Sequence, residues 1–267
     1  MRLHRALFRA KLLPIGGRDS WGNFRVGELQ DAALGGPLDS NVLPRYSILR
    51  FLDEVLPSLP DAGICLEWAT DYSSGPLASK CRETWYLRHP DECQGRSGID
   101  TSQRLVCARL EELRKVLPPT WFADTIICTQ VFEHVQEPQR AIRQLAAALK
   151  PQGHLIFSVP FLEKYHRAPV DMRRYTNEST HELLHGDAGM CVRLLVRAGD
   201  ALLTTGYLLG MGSQDFTAEE LAASDVGARG LSAEDSGGGE GGRGGGGGDT
   251  SPSLYYGVMA LAQAPPC

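Results

Sequence analysis

A doubly wound α/β fold is predicted by two observations: four short, nearly continuous apolar runs, and a well-marked helix between the last two. The runs are Ile64 to Trp68, Thr84 to Leu87, Thr125 to Val131 and Leu155 to Val159. Such runs are strands covered on both faces, as in a mostly parallel sheet. Between the last two, Pro138 suits a first helical turn. Ile142, Leu145 and Leu149 follow on one face with Ala141 and Ala148 beside them, and Pro151 with Gly153 ends the element. Strand, helix, strand over about 35 residues is a right-handed crossover unit.

At the start of the chain, Arg2, Arg5, Arg9, Lys11 and Arg18 precede the first acid, Asp19. This reads either as a basic arm or as an organelle transit sequence. From Asp39 to Leu59 the residues Val42, Ile48, Leu49, Leu52, Val55 and Leu56 recur at helical intervals, and Pro57 and Pro60 close the run. A helix capping the sheet is expected there. Residues 1–60 are therefore assigned to arm and capping helix, and 61–226 to the α/β core. Between 227 and 250, 12 of 24 positions are glycine, which marks a disordered insertion. Residues 251–267 carry the run Leu254 to Leu261, read as the last strand of the core. A long loop costs little closure entropy, and a Tyr-Tyr-Gly-Val-Met run left in water would invite aggregation.

With 27 basic and 32 acidic residues the net charge is −5. That balance disfavours a nucleic-acid partner. No apolar stretch approaches the roughly 20 residues that span a bilayer. Seven cysteines at irregular spacing lead to an expectation of reduced thiols in a cytoplasmic setting. Cys81, His89 and Cys93 match no zinc spacing, so no metal is expected.

Open parallel sheets bind ligands beyond the carboxyl ends of their strands. Three segments qualify: Glu67 to Gly75, Phe132 to Val135, and Pro160 through His166 to Tyr175. Two histidines, several carboxylates and two arginines collected there form a cleft with acid-base and ion-pairing capacity.

These segments also carry a family pattern. Asp124 to Val135, the helix from Pro138, Leu149-Lys150-Pro151-Gln152-Gly153, Leu155 to Phe161, and Tyr165-His166 on to Thr176 resemble class I S-adenosylmethionine-dependent methyltransferases of the type 11 group, over roughly residues 124 to 190. The resemblance implies a mostly parallel, seven-stranded, Rossmann-like methyltransferase sheet. Its sixth strand would be Val192 to Val196 or the run near Leu202 to Leu209, and its seventh Leu254 to Leu261. It implies S-adenosyl-L-methionine as cofactor and in-line methyl transfer to a small-molecule acceptor. Glu67 would orient the cofactor, and the bend carrying Ala69, Asp71 and Gly75 would line its amino-acid end. Asp91 or Glu92 would grip the ribose, Gln130 to Glu133 would flank the methyl donor, and His134 or His166 would serve as base.

The pattern breaks at the bend, where Trp68-Ala69-Thr70-Asp71-Tyr72-Ser73-Ser74-Gly75 holds one late glycine in place of a glycine-rich turn. The alternative is thus a non-catalytic methyltransferase-like binding module that has lost the cofactor. A nicotinamide oxidoreductase would need a G-x-G-x-x-G that does not follow the first strand. Simpler roles stay open residue by residue. Glu67 is a strand-end acid or a cofactor ligand, and His134 a helix cap or a ligand-facing group. His166, Asp171, Arg174 and Tyr175 are a brace or a substrate site. Arg173 or Arg174 meets an acidic substrate or pairs with Asp171.

Overall fold

The computed structural model describes residues 42–59, 63–68, 75, 77–166, 170–224 and 254–266. The basic N-terminal segment, Ala69 and Asp71 of the bend, and the glycine-rich stretch 227–250 lie outside the described residues.

Helix α1, Leu43–Val55, begins with Pro44 in its first turn and buries Leu43, Ile48, Phe51, Leu52 and Val55. Among the described residues eight strands follow: β1 (Gly63–Trp68), β2 (Cys81–Arg88), β3 (Gly98–Asp100), β4 (Leu105–Cys107), β5 (Ala123–Thr129), β6 (Leu149–Pro160), β7 (Cys191–Ala198) and β8 (Gly257–Gln263). Helices α2 (Leu113–Val116), α3 (Pro138–Ala148), α4 (Asn177–His181), α5 (Ala201–Leu208) and α6 (Ala218–Ala223) connect them. The sheet order is β3-β4-β2-β1-β5-β6-β8-β7. Strands β4, β2, β1, β5 and β6 run parallel, and β8 is antiparallel to both β6 and β7.

One detail differs from the sequence reading and one alternative is decided. An eighth strand, β3, adds an antiparallel edge beside β4; at three residues it is too short to carry a periodic signal. Of the two runs open for the strand after β6, Cys191–Ala198 forms β7, whereas Leu202 to Leu208 fall in α5, whose first turn is capped by Asp200 accepting the Leu203 N–H at 2.9 Å.

Successive side chains of a strand face opposite sides, and here both sides are dry. Leu66, Ile126, Cys128, Leu155 and Phe157 share one core with Ile142 and Leu145 of α3. Cys65, Ile127, Ile156, Met259 and Leu261 share the other with α1 and Leu203 of α5. The buried Tyr256, just before β8, hydrogen-bonds Ser47 of α1. At the amino edge Gly63 has φ +62°, and a Cβ there would lie 2.3 Å from Asp124 Oδ2. That carboxylate accepts the Ile64 N–H at 2.8 Å and the Lys150 ammonium at 2.7 Å. No helix among the described residues is long and apolar enough to cross a membrane.

The expectation of reduced thiols does not hold. Cys65 is bonded to Cys81 (Cα–Cα 5.6 Å) and Cys93 to Cys107 (6.2 Å), and Cys191 is also disulfide-bonded. Cys128 is a free, buried thiol. The parallel strands β1 and β2 bring Cys65 to Cys81, 16 residues on, and the helical turn after β2 brings Cys93 to Cys107 of β4, 14 residues on, adjacencies that spacing along the chain does not encode. A bridge closing a loop of about 15 residues is worth about 3 kcal/mol. Alkylation of the unfolded, unreduced chain should leave Cys65, Cys81, Cys93 and Cys107 unlabelled, and prior reduction should lower the denaturation midpoint. Complete labelling without reductant would show that the pairs do not form.

Candidate active site

The carboxyl ends of β1, β5 and β6 meet where the strand order reverses, with β2 on one side of β1 and β5 on the other. Glu67, the penultimate residue of β1, lies there, wholly buried and in register with Tyr86 and Ile127. Trp68 is half-buried against the α3-side core. Gly75 sits in a turn, its carbonyl accepting the Ala78 N–H at 3.0 Å. After β2, Asp91 has a side chain 82 % exposed. Glu92 caps its own short helical turn, accepting the His89 N–H at 3.2 Å.

Beyond β5 the chain turns through Gln130 at φ +53°. Its N–H donates to the Ser158 carbonyl at 3.0 Å and its side-chain amide to Ser158 Oγ at 3.1 Å. The next turn, Phe132–His134, is pinned by buried Val131, Phe132 and Val135. Glu133 lies between those anchors and is drawn inward to 1 % exposure.

Residues 170–175, after β6, strap this turn in place. The Met172 N–H donates to the Glu133 carbonyl at 2.9 Å, and the Tyr175 hydroxyl to the Phe132 carbonyl at 3.0 Å. Arg173 donates to the carbonyls of Val135 and Gln136. Arg174 clasps both oxygens of Asp171 and reaches the carbonyls of Glu163 and Lys164 at 3.2 Å. Asp171 also accepts the His166 N–H at 3.0 Å. Of the two roles open to the arginines, bracing is the one this geometry serves.

The strap brings His166 to His134. Their Nε2 atoms are 3.3 Å apart and the rings meet edge to face at 5.0 Å. Glu133 Oε1 is 3.7 Å from His134 Nε2 and 3.9 Å from His166 Nε2. Burial pushes the Glu133 carboxyl up to about 8, with Glu163 and Asp171 adding to the rise and Arg174 opposing it. Burial lowers the His134 pKa, whereas the Arg174 fork holds Asp171 down to about 2. Burial also raises Glu163, which accepts a hydrogen bond from the Tyr207 phenol. Glu163 falls within the segment Pro160 to Tyr175 that the sequence selects, whereas Tyr207 lies in an apolar helix where nothing local marks it as polar-facing.

Of the expected site residues, His134, His166, Glu133 and Gln130 cluster on the turns after β5 and β6. Glu67 lies at the carboxyl end of β1, and Gly75 and Asp91 follow β1 and β2 respectively.

A family model described as a methyltransferase domain matches residues 44–186. No curated protein matches the chain significantly. Among solved structures, the cyclase SpnF aligns with a TM-score of 0.50 at 16% identity, over 90% of this chain and 93% of that one. The N-methyltransferase NodS from Bradyrhizobium japonicum, in complex with S-adenosyl-L-homocysteine, aligns with a TM-score of 0.47 at 13% identity, over 90% and 97%. An S-adenosylmethionine-dependent methyltransferase from Mesorhizobium loti gives 0.45 at 16%, over 79% and 96%. At 16% identity the alignment with SpnF reports a shared fold, and a fold leaves the reaction open. The family model spans more than half of the 267 residues and includes β1 to β6 with the turns that carry Glu67, Glu133, His134 and His166; the chain belongs to the methyltransferase domain family.

Proposed function

We propose that the chain is an S-adenosyl-L-methionine-dependent methyltransferase acting in line on a small-molecule acceptor. The observation that carries this reading is Glu67, wholly buried at the carboxyl end of β1 and in register with Ile127 of β5. Open α/β sheets take their ligands at the point where strand order reverses, and an acid buried there suits a polar, cationic ligand. The cofactor supplies a methyl group already activated by its positive sulfur. Glu67 would anchor it, the backbone of Ala69, Asp71 and Gly75 would line its amino-acid end, Asp91 would meet the ribose, and Gln130 with Glu133 would flank the methyl. The chain contributes alignment and exclusion of water. A proton leaving the acceptor would pass to Nε2 of His134 or His166.

Calorimetric titration with S-adenosylmethionine and S-adenosylhomocysteine tests this. Saturable binding is expected, weakened about 10- to 100-fold in Glu67→Gln, as for the loss of one charge-assisted hydrogen bond of roughly 1.5–3 kcal/mol. Circular dichroism would verify that the variant folds. Silence from the native chain at millimolar cofactor would sink the enzyme reading and leave the binding module. Bridged cysteines also favour an oxidising compartment over the cytoplasmic setting expected from the sequence.

A further inference from the structure

We propose that Glu133 Oε1, His134 Nε2 and His166 Nε2 bind one divalent metal ion of the zinc class. Both imidazoles turn Nδ1 toward a backbone carbonyl, His134 to Val170 at 2.9 Å and His166 to Lys164 at 3.1 Å. A carbonyl only accepts, so each Nδ1 carries the ring proton and each Nε2 presents a lone pair. These lone pairs face one another across 3.3 Å, and Glu133 Oε1 adds a third acceptor at 3.7 and 3.9 Å. Three acceptors gathered around one point repel unless a proton or a metal ion sits among them, and the spacing of the three suits the metal ion. The nearest point equidistant from the three atoms, in their plane, is about 2.1 Å from each, within the roughly 2.0–2.2 Å of zinc bonds to imidazole nitrogen and carboxylate oxygen.

Glu133 supplies an independent observation. It is 1 % exposed, and its Oε2 has no hydrogen-bond partner among the described residues. A carboxylate buried so deeply is ordinarily paired, and an ion bound at Oε1 would compensate its charge. Donation of Nδ1–H to carbonyls is also how metal-bound histidines are held in one tautomer. The nearby guanidinium of Arg174 is matched by Asp171 and does not compete for Glu133. Two nitrogens and one oxygen favour zinc and its neighbours over magnesium or calcium. Three protein ligands, with both imidazoles partly exposed, leave room for a fourth ligand, the pattern of a reactive rather than a closed site. If the methyltransferase reading holds, the ion takes the place of the histidine base, because both Nε2 lone pairs are then occupied: an acceptor hydroxyl on the ion would be made more acidic and lose its proton to solvent; the binding site itself does not rest on that reading.

The test is equilibrium dialysis of the chelator-treated full-length chain against Zn²⁺ and, separately, Co²⁺, with elemental analysis. One ion per chain is expected, with a thermal midpoint raised by Zn²⁺ and a Co²⁺ visible spectrum distinct from the hydrated ion. His134→Ala and His166→Ala should each weaken binding at least about 100-fold, beyond the effect of losing an outer-shell partner. The near-isosteric Glu133→Gln, checked by circular dichroism, should do the same while keeping the fold. The double variant His181→Ala, His185→Ala removes an unrelated pair of rings 5.4 Å apart and should keep the stoichiometry. No uptake, or affinity unchanged by loss of either His134 or His166, overturns the proposal. Cofactor titration of the metal-free chain is read separately, so one reading can fail without the other.

Discussion

Replacing Arg174 by alanine should lower the free energy of unfolding by about 3 kcal/mol, the lower end of the roughly 3–5 kcal/mol seen when one partner of a buried ion pair is removed. The lower end applies because the Arg174 side chain is 26% exposed while that of Asp171 is 2% exposed. Without the guanidinium fork, Asp171 would be a nearly dry carboxylate whose remaining donors include the His166 N–H. The carbonyls of Glu163 and Lys164 would lose a donor as well. The damage should therefore extend to His166, whose ring is set by the same loop. Arg174→Lys keeps the charge but not the fork, and should recover about half of the loss. Urea denaturation of the three proteins measures this. A change under about 0.5 kcal/mol for Arg174→Ala would class the pair with screened surface bridges and remove the strap's main clasp.

Phe132→Ala should cost about 3–5 kcal/mol, the range for truncating a buried aromatic residue. Phe132 is wholly buried and meets Phe157 of β6 edge to face, with ring centroids 4.9 Å apart at 77°. Such a pair contributes roughly 0.5–1.5 kcal/mol beyond the area it covers. Phe132→Leu fills much of the space and should cost under about 1.5 kcal/mol. Guanidinium denaturation with an unchanged slope would show that the loss is one of stability rather than compactness. Because Phe132 directly precedes Glu133 and its carbonyl holds Tyr175, the alanine variant should also loosen the Glu133, His134 and His166 cluster. A variant as stable as the native chain would mean that the turn after β5 is not anchored by its aromatic pair.

Much of the fold could be read without coordinates, for a local reason. Strands β1, β5 and β6 bury both faces, so their sequences are nearly continuously apolar; β2 buries Trp85 and Leu87 on one face, and α3 buries one stripe, so its apolar residues repeat with helical period. Both signals depend on an element's own surroundings and survive without knowledge of its neighbours. The run at Leu254 to Leu261 was legible in the same way, and Val258, Ala260 and Ala262 are wholly buried in β8. The short edge β3 has no such signal. The apolar run near Leu202 to Leu209 fits a strand or a helix equally until Asp200 is seen capping α5.

The candidate site was legible as a set of residues but not as an arrangement. His134 and His166 were each marked by position after a buried strand. Their contact depends on a strap that returns from β6 to the turn after β5, and no spacing motif joins Glu133-His134 to a histidine 32 residues on.

The amino-acid sequence by itself determined the layer plan of this protein, its crossover helix and the sheet edge where its titratable groups collect, because burial leaves a periodic trace in each segment. Tertiary structure alone decided which cysteines are bonded, which arginine clasps Asp171, and that two imidazoles and a buried carboxylate converge. Those are adjacencies between segments distant in the chain, set by strand register and loop path, and periodicity within one segment carries no record of them.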